Sequence, residues 1–326
     1  MINEVKNAVL TILNKNNYGY ISPSDFNLLA ENAQMEIYQE YYSSYNKTIN
    51  GENSRISGTD YADISRQLVE TMESFLVSDF IIPKPTASGS LTNVFYEPSD
   101  ITTGNSAYMI SKIIVYTNRL TQGVNNGHST NNLIDSTANF QLLGVKVGDI
   151  VVNLSTFKSS AVDSFTSTIG TINLQDDIFK NVANGEKYAI YSFSTYSEAE
   201  KVLNSKILML QNSLLTAPSL IYPAYSSTGN TFNLYPTTIQ GYGAVKADYF
   251  RHPKPPKWTY VTLGGGEPVF DQSQPDFQDF ELPKEDQFKI VTKMLEYCGI
   301  TIREIEVSQF GAAEQSREQP SFSVQQ

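Results

Sequence analysis

Ser22-Pro23-Ser24-Asp25-Phe26 reads as a helix start, and the residues after it commit the chain to a packed helical layer. Ser22 caps, Pro23 suits the first helical position, and Asp25 stands three residues after the cap, beside the unpaired amides of the first turn. Apolar residues then recur at Phe26, Leu29, Ala30, Ala33, Ile37 and Tyr41, a stripe along one face of a helix that reaches Tyr45. Ile21, just before the cap, is placed to staple onto that first turn. A helix with this much apolar face is not stable alone in water, so neighbouring segments must cover it.

Those neighbours are themselves helical in pattern. Val5, Val9, Ile12 and Leu13 have helical spacing, and Asn14-Lys15-Asn16-Asn17-Tyr18-Gly19 supplies turn residues to end that helix. Thr48 to Gly58 is polar and reads as a loop, followed by a third helix from Thr59 to Val77 with Tyr61, Ile64, Leu68, Met72, Phe75 and Leu76 on one face. Three helices joined by short links predict an antiparallel bundle over 1–80.

Phe80-Ile81-Ile82-Pro83-Lys84-Pro85 ends the helical texture. Asn93-Val94-Phe95-Tyr96 and Ala107 to Tyr116 are β-branched and aromatic, so 81–130 reads as a β-rich connection. Over 131–193, short strands recur at Val145–Asn153, Thr168–Leu174 and Tyr188–Tyr191, which suggests a small inserted barrel or sandwich. A module of that size is near the lower limit for independent stability and is expected to lean on its parent. The region 194–307 is expected to begin with a helix at Ser197-Glu198-Ala199-Glu200 that returns to the bundle as its fourth member. Strands follow at Leu220–Tyr222, Thr231–Tyr235 and Ala244–Phe250, and a last helix runs from Pro283 to Tyr297 with Gly299 ending it. The tail 308–326 has only Phe310 and Phe322 as large anchors, so a partner must hold it if it is to be ordered. The fold class is therefore α+β: an N-terminal helical bundle with returning helices, antiparallel β segments and an inserted small β module.

The formal net charge is −11, which argues against a surface that grips nucleic-acid phosphates through Lys and Arg. The single cysteine, Cys298, lies in a helical pattern and reads as a buried structural thiol. His128 and His252 have neither metal-ligand nor triad spacing around them. No Walker loop, dinucleotide fingerprint or CxxC occurs. Asp276, Asp279 and Glu281 have the oxygen chemistry of a Ca²⁺ site but not its loop, and read as a solvated acidic face. No signal peptide is expected, because Met1 to Lys6 lacks a basic n-region and an uninterrupted apolar run, and no membrane span is expected, because no apolar run approaches ~20 residues.

One pair of segments stands out for association. Arg251-His252-Pro253-Lys254-Pro255-Pro256-Lys257-Trp258 is basic and proline-stiffened, so it loses little entropy on docking. Beyond the flexible link Gly264-Gly265-Gly266, Glu267 to Asp286 is acidic. Arg251, Lys254, Lys257 and Trp258 on one side, with Asp271, Asp276 and Asp279 on the other, are candidates for a contact between subunits or for a contact within one chain. Charge would set its register, and Trp258 would supply the anchor.

Three segments carry a resemblance. Asn7-Ala8-Val9-Leu10, Gly19-Tyr20-Ile21-Ser22-Pro23, Phe26-Asn27 and Ala33-Gln34 together resemble the N-terminus of neck proteins from tailed phages, nearest to those of crAss-like podoviruses. Leu133-Ile134-Asp135, Phe140 and Gly144 to Val151 resemble a small β module of phage structural proteins. Tyr249 to Trp258, with Leu295 to Glu304, is similar to the C-terminal half of the same neck proteins. The resemblance implies a virion structural protein without enzymatic activity or cofactor, assembled in the host cytoplasm. Its place would be a ring of the head-to-tail connector, of twelve subunits, joining the portal protein to adjacent tail rings. DNA would pass the lumen without specific binding. The alternative, from the aromatic content and scattered carboxylates, is a carbohydrate-binding or depolymerase tail component.

Overall fold

A computed structural model describes residues 1–14, 21–54, 62–85, 92–127, 129–179 and 185–302. The tail with Phe310 and Phe322, and His128, lie outside the described residues. The fold is mixed α+β and divides into two compact units: Met1–Phe75 with His252–Gln326, and Leu76–Arg251. The chain opens with α1 (Ile2–Asn14), α2 (Pro23–Ser54) and α3 (Ala62–Glu73). Next come β1 (Leu76–Phe80), β2 (Val94–Tyr96), β3 (Ala107–Tyr116), β4 (Arg119–Val124), β5 (Asn132–Ile134), β6 (Ile150–Asn153), β7 (Lys158–Phe165), β8 (Thr171–Leu174), β9 (Lys187–Tyr191) and β10 (Tyr196–Lys201). Helix α4 (Asn204–Gln211) precedes β11 (Ala224–Thr228), β12 (Thr231–Tyr235) and β13 (Val245–Arg251), and the chain closes with β14 (Tyr260–Thr262), β15 (Pro268–Phe270) and α5 (Gln287–Ile302).

In the first unit, α2 begins as its residues dictate. The Asp25 amide donates to Ser22 Oγ at 3.1 Å, and the Ser22 hydroxyl donates to the Asp25 carboxylate at 2.6 Å. Phe26, Ala30, Ala33, Ile37 and Tyr41 are buried, as are Ile2, Val5, Val9 and Leu13 of α1. Their cover comes chiefly from the other end of the chain. Both α1 and α2 pack on α5, which buries Ile290, Val291, Met294, Leu295 and Cys298, while α3 packs on α2.

The fourth helix of the expected bundle is therefore corrected. Residues around Ser197 form β10, not a helix, because β3 lies open beside them: Tyr196 to Ala199 pair with Tyr116 to Ile113. Ala199 enters the sheet core, and this tertiary pairing overrides a local capping signature. Helix α4 starts only at Asn204, packs on β11 in the second unit, and buries Ile207 alone. Other boundaries also move. Helix α2 continues to Ser54, where a loop is expected. Helix α3 stops at Glu73, and Leu76 and Val77 pair with β13 instead. Leu220–Tyr222 is an exposed bend rather than a strand. Gly264–Gly266 is the turn of the β14–β15 hairpin. Helix α5 passes through Gly299, since the buried Met294, Leu295 and Cys298 hold its last turns in place.

The second unit contains two sheets. A seven-stranded sheet has the order β1-β13-β3-β10-β11-β12-β2, antiparallel except where β10 meets β11. A six-stranded antiparallel sheet, β4-β9-β6-β7-β8-β5, is interposed in sequence between β3 and β10, which pair with each other. This second sheet curls as a half-barrel. Its edges are stitched at one end, where the Asn126 amide donates to the Ile134 carbonyl at 2.8 Å and the Ile134 amide donates to Asn125 Oδ1 at 2.9 Å. One face closes on Leu133, Val151, Val162, Ile172 and Tyr188. The other face offers Ile150, Val152, Ala189 and Tyr191 to the core of the seven-stranded sheet. Alternation along β6 and β9 thus serves two cores from one small sheet.

Candidate functional site

The basic run and the acidic stretch meet within one chain, and helix α2 holds the basic run through two amides. Asn27 and Gln34 stand seven residues apart, on one helix face and about 10 Å along the axis. Trp258 N–H donates to Asn27 Oδ1 at 2.8 Å, and Asn27 Nδ2 donates to the Trp258 carbonyl at 3.3 Å. Gln34 Nε2 donates to the Lys254 carbonyl at 2.8 Å, while its Oε1 accepts from the Glu281 amide at 3.0 Å. Gln34 is buried, so its two-sided bonding satisfies a polar group that would otherwise destabilise the unit. Neither amide was singled out by residue pattern. Their signal was a pair of polar residues on the edge of an apolar stripe.

Trp258 is 4 % exposed. Its ring stacks near Tyr260 and Phe270, with centroids 5.6 and 5.9 Å away, and Nε1 donates to Asn3 Oδ1 at 3.2 Å. The buried ammonium of Lys6 lies over the same ring, and burial lowers that amine to a pKa of about 8. Trp258 is thus engaged inside its own chain. Lys257 pairs with Asp276 at 2.5 Å, and both side chains are half-exposed; its backbone bridges to Gln278. The Lys254 amide donates to Glu281 Oε2 at 2.8 Å. Asp271 turns the chain by accepting from the Ser273 amide and hydroxyl and from Gln274 Nε2, bonds that hold its carboxyl below the usual range. Asp279 accepts the Ile2 amide at 2.8 Å, a favourable place for a carboxylate at the positive end of α1. Arg251 is the last residue of β13, at the boundary of the second unit.

A second polar cluster joins α2 to α5. Lys293, 3 % exposed, pairs with Glu36 and, at 2.9 Å, with Glu40; the Tyr297 hydroxyl donates to Glu36. Burial raises the Glu36 carboxyl, but the hydrogen bonds from Lys293 and Tyr297 and the Lys293 charge bring it below its ordinary value. The Tyr41 hydroxyl donates to Asp286, which also pairs with Lys289. The partners of Lys293 are more than a third exposed, so water supplies part of what it supplies now. Lys293→Met is expected to cost about 1–3 kcal/mol in urea unfolding, below the range for a wholly buried pair. The depressed Glu36 contributes stability above its unfolded pKa that is lost as pH falls through its lower folded value. The variant should therefore lose less stability than the parent on acidification.

Cys298 is buried, and burial pushes its thiol up to about 12, which makes it a poor nucleophile at neutral pH. Among the described residues, no group of His, Cys, Asp and Glu is arranged to hold a metal ion, and no helix is long and apolar enough to cross a membrane.

What residue pattern missed is a run of exposed apolar side chains around α4. Leu203, Leu208, Met209, Leu214, Leu215, Leu220, Ile221 and Tyr222 are all exposed, Leu214 and Leu215 almost wholly. A sequence reading assigns the first of these to a buried helix face and the last to a strand. No protein-family model matches the sequence, and no curated protein matches it either.

Proposed function

We propose that this chain is a virion structural protein: a subunit of a closed ring in the head-to-tail connector of a tailed phage, lying between the portal protein and the tail. The resemblance in three segments supplies the identity. The exposed apolar run from Leu203 to Tyr222 is the observation that carries assembly. Isolated surface leucines are ordinary, but eight large apolar side chains exposed within one short segment mark a surface that another chain covers. A cyclic ring needs two different complementary patches on each subunit, and this run is one of them. Lys257 and Asp276 are already paired within the chain, so the ring contact does not draw on that charge pair. In this reading the helical unit is the bundle of the connector, and the six-stranded sheet is its added module.

Negative-stain electron microscopy and sedimentation of the purified protein test this. Closed rings are expected, with Leu208→Ser/Leu215→Ser leaving folded subunits that do not assemble. A monomer at the highest soluble concentration, with glycans retained on an array, overturns the ring and supports the carbohydrate-binding alternative. A channel that lets DNA pass must not hold it. With a net charge of −11, duplex DNA is expected to show no retardation by this protein in a gel-shift assay at physiological salt.

A further inference from the structure

The second unit contains a cleft of about 620 Å³, within the range of small-molecule sites. Its composition departs from that of the chain as a whole. Lys84, Arg119 and Lys187 line it, and no carboxylate does, in a protein of net charge −11. None of the three has an ion-pair partner among the described residues. Register explains how the strands assemble this wall. Lys187, Ala189 and Tyr191 alternate along β9 and so face one side, and their β4 partners Val124, Gln122 and Arg119 face the same side. Arg119 and Lys187 therefore stand at opposite ends of an apolar floor, about 13 Å apart along the strand. Lys84 comes from the segment between Pro83 and Pro85. The Arg119 charge also acts on the Tyr191 hydroxyl, and its fork keeps donors for a ligand.

The remaining wall is aromatic and strained. Phe157 has φ 53°, a left-handed conformation that costs a side chain with a Cβ about 1–2 kcal/mol and costs glycine almost nothing. It is held there by Tyr242, whose hydroxyl donates to the Phe157 carbonyl at 2.8 Å and whose ring meets the Phe157 ring edge-on at 5.3 Å. Phe157 remains 44 % exposed, so much of its surface is free. A phenylalanine stands where glycine would relax the turn, with an unused face at the cleft.

We propose that this cleft binds a small organic anion: one carboxylate, sulfate or phosphate group carried by a flat apolar ring. The unpaired cations select the charge, and low-dielectric walls strengthen their field. Val124, Leu154 and Pro85, which keep accessible apolar surface at the cleft, select the ring together with the Phe157 face. A neutral sugar fits poorly, because the cleft has no carboxylate to accept from hydroxyls. The proposal does not rest on the ring assembly and stands or falls apart from it.

The test is a fluorescence titration with 8-anilinonaphthalene-1-sulfonate, beside its uncharged relative N-phenyl-1-naphthylamine. Because apolar surface around α4 also attracts such dyes, the comparison is between variants. Arg119→Gln/Lys187→Gln, both at exposed positions, should weaken the sulfonate by about ten-fold or more and the neutral dye by less than about two-fold. Phe157→Gly should weaken both dyes several-fold with an unchanged far-UV spectrum, since it removes a wall while relaxing the backbone. Sulfonate affinity unchanged in the double variant, or both dyes weakened equally by it, overturns the proposal.

Discussion

Trp258→Ala is expected to destabilise the helical unit by about 3–5 kcal/mol, the range for removing a buried aromatic side chain. The ring is buried between Tyr260, Phe270 and the Lys6 ammonium, and its indole N–H is bonded to Asn3. Truncation opens a cavity, leaves Asn3 without its donor and leaves a buried cation without its aromatic face. Of these, the last is eased in part by proton loss, because burial already lowers the Lys6 amine to about 8. Trp258→Phe keeps a ring over Lys6 and loses only size and one hydrogen bond, so it should cost roughly half as much. Urea unfolding followed by far-UV circular dichroism reads both. The outcome also separates two roles for this residue. A variant that unfolds early has lost a core residue. One that keeps the parental midpoint yet fails to assemble would place Trp258 at an interface, against its burial.

Gly170→Ala is expected to cost the second unit roughly 2–5 kcal/mol, the sum of left-handed strain and overpacking. Gly170 has φ +83°, and a Cβ there would lie 2.3 Å from the Asp135 carbonyl oxygen. That contact is with backbone, so no rotamer change relieves it. The Asp135 amide also donates to the Gly170 carbonyl at 2.8 Å, which ties the two segments together. Displacing Asp135 disturbs more than one bond. Its carboxylate accepts the buried Tyr188 hydroxyl at 2.8 Å and the Thr137 amide and hydroxyl. Gly104 is the control: its φ is +78° with nothing within 4 Å of a Cβ, so Gly104→Ala carries the strain alone, about 1–2 kcal/mol. Thermal unfolding of the two variants should differ by several degrees. Equal midpoints would mean that the Asp135 segment yields freely.

Determinants that lie within a few residues of one another were legible in the chain. The Ser22 cap and its reciprocal bond with Asp25, the apolar stripe of α2, and the β-branched run of β3 with the aromatic-rich strands β12 and β13 all depend on local backbone and side-chain chemistry. So did the mixed α+β class and the buried state of Cys298. What depends on a distant partner was not. Ser197 to Glu200 carries a helix-start signature, yet β3, far earlier in the chain, offers an open edge, and pairing there outweighs the cap. Basic and acidic stretches read equally well as a contact within a chain or between chains; in the structure Asn27 and Gln34 on α2 grip the backbone at Trp258 and Lys254, and Lys257 pairs with Asp276 of its own chain. Leu203 and Leu214 have the spacing of a buried helix face, yet both are exposed and α4 buries Ile207 alone. The cleft is built from cations on β4, on β9 and after β1, which only strand register brings together. Short-range hydrogen bonding and side-chain periodicity are written into the sequence locally, whereas burial and charge pairing are properties of the partner, and only the tertiary structure supplies one.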